Sequence, residues 1–121
     1  MKDNLSNSSN HKNKIAIPGL DNYQFVEVAN IIRCEGWENY TKIHLTNGEV
    51  LISSYTIGVI KDLLVNYNFY STHKSHFVNI DEMATYKKEG TLVLSDGSEV
   101  PVSRRIKKEF VDEIIKQKTL K

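Results

Sequence analysis

A mainly β, antiparallel β-sheet domain with one short internal helix and one C-terminal helix is the fold class this 121-residue sequence predicts. Three observations predict it. Short apolar runs, several of them alternating with polar residues, fill the chain from Ile15 to Val102, as strands do. Glycine-containing pairs, Asn47-Gly48, Glu89-Gly90 and Asp96-Gly97, separate those runs where hairpins would turn. Apolar residues fall at helical spacing in only two places, after Ser54 and after Ser103.

In chain order, residues 1–14 are rich in Asn, Ser and Lys, with Leu5 the only large apolar residue after Met1. Such a segment cannot offset its ordering entropy by burial and reads as a disordered linker or tail, leaving 15–118 as one domain. Ile15 to Pro18 is a short strand stopped by Pro18-Gly19, and Tyr23 to Val28 a second, with Phe25 set against Gln24 and Val26. Ile31 to Glu35 is a third. Asn39 to Leu45 is a fourth, with Thr41, Ile43 and Leu45 on one face and Lys42 and His44 on the other. Asn47-Gly48 turns the chain into Val50-Leu51-Ile52.

Ile57, Ile60, Leu63 and Leu64 then mark a helix, capped by Ser54 or Thr56, before extended structure returns at Phe69 to Thr72. Thr91 to Leu94 and Glu99 to Val102 follow their glycine turns as strands. Pro101 has no N–H to donate, so its strand is expected at a sheet edge or with that position facing outward. Ser103 is the expected N-cap of a closing helix to about Lys118, burying Ile106, Phe110, Val111, Ile114 and Ile115.

Composition excludes several classes. With 40% hydrophobic and 26% charged residues the chain fits a soluble globular domain. The single cysteine, Cys34, excludes an internal disulfide framework and fits a reducing compartment. No run approaches the ~18 apolar residues of a membrane span, and no signal-peptide core opens the chain, so the expected location is cytoplasmic. Net charge is only +1, so any basic partner surface must be a local patch.

Two stretches and one turn carry the chemistry. His73-Lys74-Ser75-His76-Phe77-Val78-Asn79 sets four polar residues against an apolar pair. It reads as a loop pegged by Phe77 and Val78 with Lys74 presented outward; the plainer alternative is a strand end whose histidines are satisfied internally. Arg104, Arg105, Lys107 and Lys108 form the densest basic cluster. On a helix starting at Ser103, at about 100° per residue, Arg105 and Lys108 would project away from the buried stripe and Arg104 beside it. A solvated face is the plainer reading, but cations at a helix N-terminus oppose the macrodipole, which favours an anionic partner. The turn at Glu35 to Tyr40, followed by Lys42, offers an amide at Asn39 and a phenol at Tyr40. Gly36 and Asn39 are also ordinary turn residues there, and Trp37 is a candidate for the core.

Taken together, Ile31 to Glu35, Glu38 to Lys42, the His73–Asn79 heptapeptide and Asp96 to Arg105 resemble, in order, the LytTR (LytR/AlgR-type) DNA-binding domain of bacterial response regulators. The resemblance covers about 15–118. It implies a compact β fold whose loops, rather than a recognition helix, enter the major groove of double-stranded DNA at promoter repeats. By position it implies base-reading sites at Asn39 (with Tyr40 as its substitute), Lys74 and Arg105. His73, Ser75, His76, Ser103 and Arg104 lie in the same loops. It also implies a homodimer on DNA and, in a longer regulator, a receiver domain or a histidine kinase as partner. Physically, Arg105 can bond guanine O6 and N7, while Lys42, Lys74, Lys107 and Lys108 suit phosphates.

Rival classes fare worse. A metal-dependent hydrolase on His44, His73 and His76 lacks any metal-ligand spacing, so neither metal nor cofactor is expected. Cys34 in an apolar strand reads as an inert thiol and Ser75 has no oriented acid, so no enzyme is expected. A protein–protein interaction module using the exposed edge strand near Pro101 is the alternative of a different class.

Overall fold

The structure is a computed structural model that describes residues 13–119. Ten strands form three antiparallel sheets among these residues. β1 (Lys14–Pro18) and β2 (Tyr23–Glu27) make a hairpin. The central sheet has the order β5-β4-β3-β7-β6, built from β3 (Ile31–Trp37), β4 (Tyr40–Leu45), β5 (Val50–Ser53), β6 (Phe69–His73) and β7 (His76–Asn79). The third sheet has the order β10-β9-β8: β8 (Met83–Lys87), β9 (Thr91–Leu94) and β10 (Glu99–Pro101). α1 (Ile57–Leu63) joins β5 to β6. The chain closes through α2 (Lys107–Phe110), a π-helical turn (Val111–Ile115) and α3 (Lys116–Lys118).

The central sheet is buried on both faces by different partners. Cys34, Ile43, Leu45 and Phe77 share one core with Ile17 and Val26 of the first hairpin and Ile60 and Leu64 around α1. Ile32 and Val78 share the other with Leu92, Leu94, Val100 and Phe110. Neighbours Phe77 and Val78 therefore enter separate cores, because successive side chains on a strand point to opposite faces. Each such burial contributes roughly 1.5–3 kcal/mol. The expected pegs are both buried, but the segment they belong to is a strand, and only Lys74 and Ser75 turn.

Turn chemistry follows the glycines. Gly48, Gly90 and Gly97 all take positive φ, as the hairpin signals require. Gly36 is needed for another reason: a Cβ there would lie 2.9 Å from Cγ2 of Ile57, so β3 packs on α1 only without a side chain. Pro101 ends β10 at the edge of its sheet, as expected.

Four expectations need correction. β1 starts at Lys14, inside the segment read as a tail, and Asn13 accepts a bond from the Val28 N–H at 2.8 Å; the rest of that tail falls outside the described residues. In β2 the inward residue is Val26, whereas Phe25 is 73% exposed, because pairing with Ile15 fixes Val26 on the core face. Trp37 is not core but 56% exposed at the end of β3. Ser103 does not cap a helix. Its N–H is held by the Thr72 carbonyl at 2.8 Å, residues 103–106 form a turn closed by Ile106 N–H to Ser103 O at 3.0 Å, and the helix starts at Lys107. The N-cap position falls to Ile106, with no side-chain cap, and the helical-wheel placement of Arg104 and Arg105 lapses with it.

Candidate nucleic-acid interface

Register places two polar turns at one end of the central sheet. Glu35 of β3 pairs with His76 of β7, so the β3–β4 and β6–β7 turns leave the sheet side by side. The Asn47-Gly48 turn between β4 and β5 lies at the opposite end. The Gly36 N–H donates to the Ser75 carbonyl at 2.8 Å and ties the first turn to the second. On the other side a register shift between Ser71 and His73 frees the Thr72 carbonyl from the ladder, and it accepts the Ser103 N–H. The basic turn that follows β10 is thus joined to the same end of the sheet.

The β3–β4 turn has two residues, Glu38 and Asn39, between the paired Trp37 and Tyr40. Glu38 sits at φ 55, a left-handed position that costs a side-chain-bearing residue about 1–2 kcal/mol. Asn39 and Tyr40 are exposed. Lys42 reaches back over the Trp37 ring, 4.2 Å from its centroid, a cation–π contact that steadies the exposed indole.

The β6–β7 turn is held from within. The His73 Nδ1 accepts the Ser75 N–H at 3.1 Å. Lys61, on α1, donates to Ser71 Oγ at 2.7 Å, the Lys74 carbonyl at 3.2 Å and the His73 carbonyl at 3.4 Å. Burial pushes the Lys61 ammonium below the usual lysine range. Only the Lys74 side chain is left exposed by the turn. His73 and His76 face each other across it, ring centroids 5.6 Å apart.

Behind the turns lies a band of partly buried charge. Glu35 accepts from Arg33 at 3.4 Å and from His44 Nε2 at 3.2 Å, which requires the Nε2–H tautomer of His44. Burial pulls His44 down, with the Arg33 guanidinium adding to it, so its imidazole is neutral at neutral pH. Burial would raise the Glu35 carboxyl, but the His44 bond and Arg33 outweigh it and hold it below the usual range. Burial also lowers His76, against the opposing pull of Glu35. Its Nδ1 is buried without a partner. Among the described residues no cluster of His, Cys, Asp or Glu has the makings of a metal site. Cys34 is fully buried and its thiol is pushed up to about 12.

In the basic turn Arg104 and Arg105 are exposed, while the Ser103 hydroxyl is buried without a partner and does not face outward. The two lysines expected beside them are engaged. Lys107 donates to the Glu89 carbonyl at 3.2 Å, and Lys108 pairs with Asp112 at 3.0 Å, which Lys116 also holds at 3.1 Å. Two lysines that sequence reasoning did not single out also lie at these turns: Lys61, whose spacing carries no signal, and Lys88, exposed on the β8–β9 turn that Lys107 braces.

The chain matches the LytTr DNA-binding domain family over residues 21–115. It belongs to that family. Among solved structures it is similar to the LytTr DNA-binding domain of a Bacillus cereus protein described as a methyl-accepting/DNA response regulator, at 19% identity and a TM-score of 0.71. That match covers 84% of this chain and 96% of the other and carries the fold alone. No curated protein matches the chain. The mainly antiparallel architecture with its C-terminal helix is that of the LytTR fold, and the domain is a DNA-binding one. No helix among the described residues is long and apolar enough to cross a membrane.

Proposed function

We propose that this LytTR domain reads double-stranded DNA through the turns gathered at one end of its central sheet, as the output module of a transcriptional response regulator without catalysis of its own. Asn39, Lys74 and Arg105 are assigned to base edges in the major groove. Tyr40, His73, Ser75, Arg104 and Lys88 are assigned to phosphates around them. Lys42 and Lys107 act behind them, since each is engaged within the protein, while Lys108, in an exposed pair with Asp112, stays available to a phosphate. Binding to promoter repeats as a homodimer, control by a receiver domain or histidine kinase, and a cytoplasmic location belong to the same proposal.

The observation that carries it is the pair of backbone bonds, Gly36 to Ser75 and Ser103 to Thr72, which bring three polar turns to one end of the central sheet. A single duplex meeting all three would gain from several moderate contacts, and net charge near neutral keeps the rest of the molecule from binding DNA indiscriminately. The edge-strand alternative has little to work with, because β10 is three residues long and ends on Pro101, which has no N–H to donate.

The test is selection of a duplex from a random pool, followed by gel shifts with selected and scrambled DNA. Lys74→Ala and Arg105→Ala should each lose preference for the selected duplex. Equal losses on both duplexes would remove the base-reading assignment.

A further inference from the structure

Lys61 is the one lysine in the described residues that turns its ammonium onto the backbone of a predicted reading loop. An ammonium has three hydrogens, and three acceptors surround this one: Ser71 Oγ and the carbonyls of His73 and Lys74. Ser71 Oγ in turn donates to the His73 carbonyl at 3.3 Å, so the acceptors themselves are linked. These groups belong to the last residues of β6 and to the first residue of the turn. The His73 carbonyl already lies in the ladder pair with His76 and the Ser75 carbonyl accepts the Gly36 N–H, which leaves the Lys74 carbonyl as the one in the turn that depends on Lys61.

We infer that Lys61 is a positioning residue for DNA recognition: from α1 it fixes the His73 and Lys74 carbonyls and thereby aims the Lys74 side chain outward. The inference rests on the DNA-binding reading above and deepens it. Its own cation is spent on the turn and is not a phosphate contact. Burial disfavours the charged form of this amine, so three bonds to it hold the turn more firmly than they would in open solvent. Ordering the turn before DNA arrives removes a cost that binding would otherwise bear.

The test compares Lys61→Met, which keeps the stem and removes the donors, with Lys61→Arg, which keeps the charge on a planar fork unsuited to three converging acceptors. Preference for the selected duplex over the scrambled one should fall about tenfold in Lys61→Met, the scale of one lost charge-assisted hydrogen bond. Lys61→Arg should restore little of it, and the salt dependence of binding should keep the wild-type slope in both. A direct phosphate contact would instead flatten the slope by roughly 0.9 in Lys61→Met and be rescued by arginine, which overturns the inference. Unchanged preference in Lys61→Met overturns it too. Should Lys61→Met not fold, the wild-type chain still decides. The side-chain ammonium of Lys61 should exchange its protons with water more slowly than that of Lys74 by NMR, and equal rates would refute the clamp. A wild-type chain that prefers no duplex overturns the DNA-binding reading itself and leaves the ammonium measurement standing as a separate result.

Discussion

The β6–β7 turn and the basic turn before α2 lie side by side, yet they are held in different ways. Lys61, the His73 ring and the Gly36 amide all bond to the first, and Phe77 and Val78 anchor the strand that leaves it. The second is fixed at its entry by Ser103 N–H to Thr72 O and closed by the Ile106 N–H. Arg104 and Arg105 are carried between those two bonds, with Glu109, Asp112 and Glu113 near Arg105. One turn is a rigid presenter of a single lysine. The other is a short turn whose two exposed arginines are free to adjust, Arg104 toward a phosphate and Arg105 toward a base edge in the proposed reading. In the proposed reading, a surface that combines the two reads one base edge from a fixed position and another from an adjustable one.

The largest effect should come from cutting the anchor of the rigid turn. Phe77→Ala removes a buried ring stacked on Phe69 and should cost about 3–5 kcal/mol of folding stability. Thermal or denaturant unfolding reads this directly, and a loss under about 1 kcal/mol would show that the turn is not pegged there. Next, Gly36→Ala should destabilise by roughly 1–3 kcal/mol, because its Cβ would press on Ile57 and loosen the bond to Ser75. On the adjustable side, Arg105→Ala should lower base discrimination by about 1–3 kcal/mol with little change in the unfolding midpoint. A gel-shift series with paired melting curves separates the two.

The charged band behind the turns gives a smaller, pH-dependent effect. His44 and His76 are both depressed by burial, so the folded state takes up their protons less readily than the unfolded chain does. As pH falls through the ordinary imidazole range, about 6.5, the unfolded state gains protons first, and stability should decline. Glu35, held low, should add its own loss only at still lower pH, where its carboxylate protonates. Melting temperature against pH checks both, and His76→Gln should flatten the first decline. Smallest of all, Trp37→Ala should change stability by under about 0.5–1 kcal/mol, since the indole is 56% exposed. As the only tryptophan it also reports on the β3–β4 turn: its emission should shift when the selected duplex binds.

Much of this molecule was legible from residue pattern, and the failures share a cause. Alternation at Thr41, Ile43 and Leu45, the glycine turns and the edge position of Pro101 are local properties of a strand, so they read correctly. Phe25 and Ser103 fall elsewhere than expected because each is decided by a partner distant in sequence, whereas Trp37, open to either reading, is set by its near neighbours Tyr40 and Lys42. Pairing of Val26 with Ile15 turns Phe25 outward, and the Thr72 carbonyl takes the Ser103 amide. The tie between the turns was illegible for the same reason. It depends on Gly36, Ser75, Thr72 and Ser103 meeting through backbone atoms, which carry no side-chain signature. Lys61 hides in the same way, since its acceptors are mostly carbonyls.

The most direct test is an amide NMR titration of the domain with its selected duplex. Shifts concentrated at residues 37–40, 73–76 and 103–106, moving together at one saturation point, are the result this account predicts. Shifts centred on Asn47 and Gly48 at the far end of the sheet, or confined to a single turn, would contradict it.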